Sequence, residues 1–285
     1  MNIDALLAEA ALQLAQAGIA EADIDARLLF QHLAEMTRSQ LIVHGKQSVD
    51  ERTCKQYRWL IEQRSRRIPL QYLTGVQEFW SLDFIVTPAV LIPRPETEFL
   101  LEQVLATCSL GDGISSGLDL CTGSGVIAVI LAKELHCPVT AVDISEAALT
   151  VAAKNLARHH LCKQVALVCG DLFAALNPHR KFDLIVSNPP YIADAQIRHL
   201  EPEVAVAEPY LALSGGPTGL HIIEQIATGA EAFLNPGAWI FLEIGADQKQ
   251  AVEALFTARG YDEVSVLNDW ADRPRVVQAR YTRSH

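Results

Sequence analysis

Apolar residues recur at helical spacing through the first quarter of this 285-residue chain, and no alternating strand pattern interrupts them. The segment IDALLAEAALQLAQAGI repeats apolar positions every three or four residues and ends at Gly18, a residue typical of helix ends. Further along, Ser48 and Glu51 have the spacing of a capping box at the start of another helix. We therefore predict a helical bundle over residues 1–75.

The pattern changes between residues 76 and 95. EFWSLDFIV alternates enough to indicate a short strand or hairpin, and several prolines interrupt the segment. We interpret residues 76–95 as a hairpin and linker. Pro95 and Glu96 suit the first turn of a following helix, so a second domain is predicted over residues 96–285.

From residue 117 onward, short apolar runs alternate with amphipathic helical segments, which predicts an α/β fold. Buried strands that alternate with helices indicate a parallel sheet covered on both faces. The last two strands lie close together in sequence, so an antiparallel hairpin is expected at the sheet edge. The predicted strands span residues 117–121, 138–145, 165–172, 182–188, 238–245, 263–269 and 275–281.

Composition and charge exclude several classes of protein. The formal net charge of −11 argues against a general nucleic-acid binder, which usually displays a basic face. The apolar runs are too short to span a bilayer, and the N-terminus lacks the basic start of a signal peptide, so we expect a cytoplasmic protein. The six cysteines form no C-x-x-C pair and no H-E-x-x-H occurs, so no metal site is predicted.

A glycine-rich turn in LDLCTGSGVIAV indicates a cofactor pocket. Gly123 and Gly125 would let the backbone approach a ligand closely between a strand and a helix. Asp143 ends the next strand, where a carboxylate can accept hydrogen bonds from both hydroxyls of a ribose. Asp171 follows the third strand and could accept a hydrogen bond from an adenine amino group, or be only a surface acid. Because G-x-G-x-x-A also fits a dinucleotide fingerprint, a dehydrogenase remains open at this point.

The sequence Asn188-Pro189-Pro190-Tyr191 follows a buried strand and cannot continue it, because proline lacks the N–H that a ladder requires. Asn188 offers one acceptor and one donor group, the prolines form a rigid elbow, and Tyr191 adds a flat ring. Together they predict a clamp for a planar –NH₂ group, either an amide or an exocyclic base amine. Hydrogen bonds from that group would stabilise the positive charge that develops on its nitrogen during attack.

This N-P-P-Y sequence resembles the signature of S-adenosylmethionine-dependent methyltransferases that act on planar nitrogens. A wider set of segments resembles, in this order, the glutamine-N5 methyltransferases of peptide chain release factors. The likeness runs from about residue 70 to the C-terminus. The segments are QYLTGVQEFWSLDF, LIPRPETE, LDLCTGSGVIA, VDIS, SNPPYI, EPYLALSGGPTGL and EIGADQ.

The resemblance implies a Rossmann-like, seven-stranded methyltransferase sheet behind a small all-α domain. It implies S-adenosyl-L-methionine as cofactor and, as substrate, the glutamine of the Gly-Gly-Gln loop in class I release factors. By the same resemblance residues 93–98 would close over the site and residues 1–75 would help dock the release factor. No stable nucleic-acid or membrane binding is expected. The implied cofactor residues are Cys121, Thr122, Gly123, Ser124, Gly125, Asp143, Asp171, Leu172 and Asn188, and the implied substrate residues are Asn188, Pro189, Pro190 and Tyr191.

Three positions depart from the family pattern. Cys121 stands where glycine is usual, Leu172 where an aromatic residue is common, and Thr218 where an acid is usual. None belongs to the N-P-P-Y clamp, so we expect activity with weaker cofactor binding. The alternatives are a glutamine methyltransferase of a ribosomal protein, an adenine-N6 methyltransferase of nucleic acid acting on a flipped base, and a scaffold that no longer reacts.

Overall fold

The computed structural model describes residues 1–108 and 113–283, which divide into two compact units. One unit comprises Met1–Val76 together with Glu201–Ala207, and the other comprises the described residues from Gln77 to Leu200 and from Glu208 onward. Residues 109–112 and 284–285, which fall within the predicted 96–285 domain, lie outside the described residues. The helices are α1 (Ile3–Gln16), α2 (Ala22–Ala34), α3 (Arg38–His44), α4 (Glu51–Ser65), α5 (Leu70–Thr74), α6 (Pro95–Cys108), α7 (Val126–Glu134), α8 (Glu146–Arg158), α9 (Asp194–Ile197), α10 (Pro202–Ala207), α11 (Tyr210–Leu213), α12 (His221–Gly229) and α13 (Lys249–Ala258), with a 3₁₀ turn at Ala230–Phe233.

The first unit is helical and packs around one apolar core. Tyr57 on α4 is fully buried, stacks edge-on against Phe30 of α2 with ring centroids 5.2 Å apart, and donates its hydroxyl hydrogen to the Ala26 carbonyl at 2.8 Å. The hydrogen bond satisfies a hydroxyl that would otherwise be costly to bury. This ring therefore fixes how α2 and α4 pack.

A buried arginine ties a distant piece of chain into this unit. Arg64 on α4 donates to Asp25 at 2.7 Å and to Glu203 at 3.0 Å, and Arg67 donates to the same Glu203 oxygen at 3.1 Å. Glu203 lies on α10, which follows Leu200 in sequence but packs with the first 76 residues. These ion pairs give the physical reason why α10 belongs to the first unit, which the sequence pattern did not reveal.

The predicted capping box at Ser48 and Glu51 is wrong. Asp50 caps α4, because its carboxylate accepts from the Thr53 backbone N–H at 3.0 Å and from the Thr53 hydroxyl at 2.6 Å. A short acidic side chain directly before the helix satisfies the free N–H groups of the first turn. A capping box does form one helix earlier, between Thr37 and Gln40 of α3.

The second unit contains a hairpin and a large sheet. Its strands are β1 (Val76–Phe79), β2 (Leu82–Ile85), β3 (Gly117–Leu120), β4 (Val139–Asp143), β5 (Val165–Cys169), β6 (Phe182–Ser187), β7 (Leu234–Glu243), β8 (Asp262–Asn268) and β9 (Pro274–Tyr281). Among the described residues, seven strands form the sheet in the order β5-β4-β3-β6-β7-β9-β8. Strands β3 to β7 pair in parallel, whereas β9 pairs antiparallel with β7 and β8. The predicted α/β class, with a mostly parallel sheet and an antiparallel C-terminal hairpin, is confirmed.

Both faces of the sheet are covered by helices, as the apolar strands require. The helices α6 and α7 pack on one face with the wholly buried run Val126–Ala132, and α12 and α13 contribute Ile223, Ile226, Val252 and Phe256 to the other. Within the described residues, no helix is long and apolar enough to cross a membrane.

The β1–β2 hairpin turns tightly through Trp80 and Ser81, both at φ 56°. Two consecutive left-handed residues match a two-residue hairpin loop, a geometry that usually needs asparagine or glycine. The Glu98 side chain accepts from the Trp80 N–H at 2.6 Å and supports the turn from α6. Phe79 and Phe84 on either side are buried in the core of the second unit, so residues of the proposed linker segment are part of that core.

Candidate active site

A pocket opens at the carboxyl ends of the parallel strands of the second unit, where the strand order reverses between β3 and β6. Ligands of open α/β sheets bind at this kind of switch point. Among the described residues, Gly125, Pro189 and Tyr191 adjoin the pocket lining without belonging to it. The residues singled out from the sequence that do line the pocket are Cys121, Thr122, Gly123, Ser124, Asp143, Asp171, Leu172, Asn188 and Pro190.

The glycine turn between β3 and α7 needs left-handed backbone angles at three positions. Cys121 has φ 57°, Gly123 has φ 54° and Gly125 has φ 84°. A β-carbon on Gly125 would also lie 3.2 Å from the Ala152 side chain on α8. Only glycine adopts such backbone angles without cost, so the backbone of Cys121 is strained. This strain explains why glycine would suit position 121.

Asp143 at the end of β4 braces the turn. One carboxylate oxygen accepts from the Gly123 N–H and the other from the Ser145 N–H, both at 2.8 Å. Burial raises the pKa of Asp143 above its ordinary value, while the N–H groups of Ser145 and Gly123 oppose the rise. Ser145 in turn caps α8, accepting from the Ala148 N–H at 3.1 Å. The carboxylate thus faces the pocket with both oxygens fixed.

Asp119 on β3 is a second acid beneath the turn, and sequence reasoning missed it. One oxygen accepts from the Thr122 hydroxyl at 2.5 Å and from the Ala128 N–H at 3.1 Å, whereas the other has no partner among the described residues. Complete burial raises the pKa of Asp119 to about 8, so the carboxyl is mostly neutral at pH 7. An acid inside an otherwise apolar strand was the available clue.

The pair Asp171-Leu172 lies at the rim of the pocket, after β5. Asp171 is exposed, and its carbonyl accepts from the Ala174 N–H at 2.9 Å in a tight turn. Leu172 has φ 46° and packs at the edge of the core while lining the pocket. An apolar side chain beside an exposed carboxylate can cover one face of a heterocyclic base and accept from its edge.

The N-P-P-Y segment is held by a buried hydrogen-bond network that the sequence did not predict. Asn188 Nδ2 donates to Thr97 Oγ1 at 2.9 Å, and Thr97 Oγ1 donates to Glu243 Oε2 at 2.7 Å. The Tyr191 hydroxyl donates to Glu243 Oε1 at 3.0 Å. With its nitrogen committed to Thr97, the Asn188 amide has its oxygen left for the pocket.

Two segments that flank the pocket are joined by an ion pair. Arg94 donates to Glu208 at 2.5 Å, and Glu208 is buried while Arg94 is partly exposed. Their neighbours Pro93 and Pro209 line the pocket. Burial raises the pKa of Glu208 although Arg94 opposes the rise. The ion pair holds both segments beside the pocket, and neither Arg94 nor Glu208 is itself a lining residue.

The glycine-rich loop at 215–219 is joined by hydrogen bonds to the N-P-P-Y segment. Gln248 donates its amide hydrogens to the Tyr191 carbonyl at 2.9 Å and to the Gly219 carbonyl at 3.1 Å. Thr218, the third departure from the family pattern, accepts from the Leu220 N–H at 3.4 Å within its own loop. The loop is therefore held through its backbone and Gln248 rather than through the side chain at 218.

Metal ligands are not grouped in the part of the chain that the structure describes: no set of three or more His, Cys, Asp or Glu side chains there could hold an ion. The six cysteines are free thiols, and burial raises the pKa of the Cys121 thiol, so it is neutral at the pocket wall. The pocket lining combines carboxylates, several threonine and serine side chains, the Asn188 amide, the Cys121 thiol and apolar side chains.

Two family models match the chain. The model described as the PrmC N-terminal domain matches residues 5–75, and the one described as the methyltransferase small domain matches residues 95–236. Together they cover most of the chain.

Curated relatives match over nearly their full length. The chain is 42% identical to the release factor glutamine methyltransferase of Moorella thermoacetica, with 96% of this chain and 97% of the relative covered. It is 39% identical to the enzyme of the same name from Geobacter sulfurreducens, with 94% and 92% covered. For the Escherichia coli enzyme the identity is 38%, with 90% and 91% covered.

Solved structures share the fold. A methyltransferase from Pyrococcus furiosus aligns with a TM-score of 0.56 at 21% identity, over 78% of this chain and all of that one. The 16S rRNA N2 G1207 methyltransferase of Thermus thermophilus aligns with a TM-score of 0.53 at 20% identity, over 72% of this chain and 49% of that one. At these identities the likeness concerns the fold alone.

Proposed function

Because the chain belongs to the family of release factor glutamine methyltransferases, we propose that it methylates the side-chain amide nitrogen, N5, of a glutamine in a peptide chain release factor. Its methyl donor is S-adenosyl-L-methionine. The observation that carries the proposal is the Asn188 amide at the pocket, with its nitrogen bound to Thr97 and its oxygen left as an acceptor for a planar –NH₂ group.

The residues present fit this cofactor. The pocket combines an apolar wall that includes Val126 and Leu172 with the carboxylates of Asp143 and Asp171. We propose that Asp143 accepts the ribose hydroxyls, that Asp171 and Leu172 flank the adenine, and that Cys121–Gly125 holds the amino-acid part. The N-terminus of α7 follows the turn, and the positive end of a helix dipole favours a carboxylate there.

When bound, the cofactor would supply an electrophilic methyl group for the substrate nitrogen, its sulfur would keep the electron pair of the carbon–sulfur bond, and the nitrogen would lose one proton to water. An amide nitrogen is a weak nucleophile because its lone pair is delocalised. The Asn188 oxygen and the Pro189 carbonyl would accept from the –NH₂ group, hold its orientation and stabilise the positive charge that grows on it. Pro190 keeps this elbow rigid, and Tyr191 is fixed through Glu243.

A release factor suits this chain better than a nucleic acid. The net charge is −11, and nucleic-acid binding requires cationic groups for the phosphates. The first unit exposes large apolar side chains, with Ile42 74%, Val43 76% and Trp59 56% accessible. We propose that this helical unit, residues 1–75, helps dock the release factor, and that the enzyme acts in the cytoplasm, where translation takes place.

The test is methyl transfer from labelled S-adenosyl-L-methionine to a purified class I release factor, beside a ribosomal protein mixture and a nucleic-acid sample. We expect label only on the release factor, with Asn188→Ala inactive. Asn268→Ala is the matched control, because the side chain of this exposed asparagine on β8 donates to Asp272 near its own turn and lies outside the pocket lining. Label on nucleic acid or on a ribosomal protein would replace the proposed substrate with one of the alternatives.

A further inference from the structure

Four side chains beside the pocket form a chain of hydrogen bonds that we call the Glu243 relay: Asn188, Thr97, Glu243 and Tyr191. They come from three separate elements, since Thr97 lies on α6, Glu243 ends β7, and the other two follow β6. Thr97 is 2% and Glu243 is 1% exposed, and Thr97 lines the pocket whereas Glu243 does not. Neither residue belongs to the N-P-P-Y segment, yet both contact its polar groups.

The direction of each hydrogen bond follows from the number of protons available. An ionised carboxylate only accepts, and a threonine hydroxyl has a single hydrogen. Thr97 donates that hydrogen to Glu243 at 2.7 Å, so its oxygen can only accept from its other neighbour. The neighbour 2.9 Å away must therefore be the –NH₂ end of Asn188. The reversed amide would set two oxygens against each other with no hydrogen between them.

We propose that Glu243 and Thr97 are positioning residues that fix which end of the Asn188 amide faces the substrate. The inference rests on the proposed function, because a substrate –NH₂ group needs the Asn188 oxygen and would be rejected by its nitrogen. The second carboxylate oxygen acts in the same way on Tyr191, whose hydroxyl group donates to it with 3.0 Å between the two oxygens and whose ring is thereby oriented. The buried carboxylate of Glu243 thus fixes the orientation of the Asn188 amide and the direction of the Tyr191 hydroxyl bond.

The relay depends on the charge of Glu243, and the surrounding groups include some that raise its pKa and some that lower it. Burial raises the pKa of Glu243, and the nearby Glu96 on α6 adds to the rise, while hydrogen bonds from Thr97 and Tyr191 and the cation of Arg275 on β9 oppose it. Arg275 is itself held by Asp269 at 3.3 Å. A protonated Glu243 would donate to Thr97, the Thr97 hydrogen would turn toward Asn188, and the amide would reverse.

The first test compares variants of the full-length protein at position 97. Thr97→Val keeps the shape and removes the hydroxyl, whereas Thr97→Ser keeps the hydroxyl. We expect Thr97→Val to lower kcat by about 10- to 100-fold, the range for losing a partner that orients a site residue. We expect the KM for the release factor and the cofactor Kd to stay within about threefold, and Thr97→Ser to restore most of kcat.

Thr140→Val is the matched control. Thr140 on β4 is 1% exposed, its hydroxyl has no partner among the described residues, and it does not line the pocket. This variant should keep wild-type kcat. A Thr97→Val enzyme with wild-type kcat, or a Thr97→Ser enzyme as slow as Thr97→Val, would overturn the relay. Thermal unfolding of each variant separates loss of fold from loss of orientation.

The second test is the pH profile. Wild-type kcat should fall as pH drops through the raised pKa of Glu243, because protonation reverses the relay. Glu243→Gln has no proton to gain, and an amide at 243 leaves Asn188 free to take either orientation. We expect a lower kcat at every pH and no acid limb from this residue. The same acid limb in wild type and Glu243→Gln would contradict the inference.

A third readout does not depend on the substrate. The side-chain amide of Asn188 can be followed by nuclear magnetic resonance, its signal being the one that disappears in Asn188→Asp. In wild type one hydrogen is bonded to Thr97, so the signal should shift and exchange faster in Thr97→Val but not in Thr140→Val. An unchanged signal would overturn the relay. If the signal moves while no release factor is methylated, the relay stands and the proposed substrate is wrong.

Discussion

Replacing Asp143 with alanine separates cofactor binding from support of the glycine turn. The carboxylate accepts two N–H bonds at 2.8 Å, from Gly123 and Ser145, and it also faces the pocket. Hydrogen bonds to a charged group contribute about 1.5–3 kcal/mol each, and losing the acceptor leaves partly buried donors unsatisfied. We expect Asp143→Ala to lower the free energy of unfolding by about 2–4 kcal/mol. The lost ribose acceptor should weaken cofactor binding by about 1–3 kcal/mol, or about 5- to 150-fold in Kd.

Asp183→Ala is the control that makes this result interpretable. Asp183 also accepts two backbone N–H bonds, from Ser115 and Ser116 at 3.0 Å each, together with bonds from the hydroxyls of both serines and from Asn235 at 2.7 Å. It lies near the start of β6, at the opposite end of the strand from Asn188. Because it accepts more hydrogen bonds than Asp143, removing it should cost at least as much stability and leave cofactor binding within about twofold. Calorimetric titration with S-adenosyl-L-methionine and thermal unfolding measure both quantities.

The outcome that refutes the reasoning is a stability loss without a binding loss. If Asp143→Ala unfolds more easily but binds the cofactor as tightly as Asp183→Ala does, the carboxylate only braces the turn. Asp143→Asn adds an intermediate case, because its amide keeps one acceptor oxygen and loses the other. Its cofactor Kd should fall between those of wild type and Asp143→Ala.

Three further predictions concern neighbouring residues. Asn188→Ala should abolish methyl transfer while the cofactor Kd changes less than about threefold, because the substrate acceptor is lost and the cofactor wall is not; measurable turnover near the wild-type rate would contradict the clamp. Asp119 has its pKa raised to about 8, so the folded chain keeps a proton that the unfolded chain releases near pH 4. The stability of wild type relative to Asp119→Asn should therefore fall between about pH 4 and 8 and level off above, and a pH-independent difference in Tm would exclude this. Gly125→Ala, with φ 84° and a β-carbon 3.2 Å from Ala152, should lose about 1–2 kcal/mol of stability by denaturant unfolding; a neutral effect would mean that the turn relaxes freely.

Much of the fold was predictable because its determinants are local. Buried strands such as Phe182–Ser187 and amphipathic helices such as Glu146–Arg158 show their period directly in sequence. The sequence pattern did not predict that β9 lies between β7 and β8, or that α10 packs with the first unit. Both depend on contacts between residues far apart in sequence, as in the bond between Arg64 and Glu203.

The site was predictable where one motif supplies the group and its geometry together. The glycine turn, Asp143 and Asn188 follow strands, and parallel strands end at one edge, so their meeting was expected. Glu243 and Asp119 gave no such indication, and Thr97 was expected near the site only as part of residues 93–98, because their roles come from burial and from partners in other elements. Glu243 ends an apolar strand as an ordinary polar residue would, and only its contacts distinguish it.

Locating the methyl group itself distinguishes methylation of a release factor glutamine from every alternative. After incubation of the enzyme, S-adenosyl-L-methionine and a class I release factor, fragmentation mass spectrometry of the Gly-Gly-Gln peptide identifies the modified atom. We predict a single methyl group on the glutamine side-chain nitrogen, present with wild type and absent with Asn188→Ala. An unmodified Gly-Gly-Gln peptide, with the cofactor bound and another substrate methylated, would contradict the account.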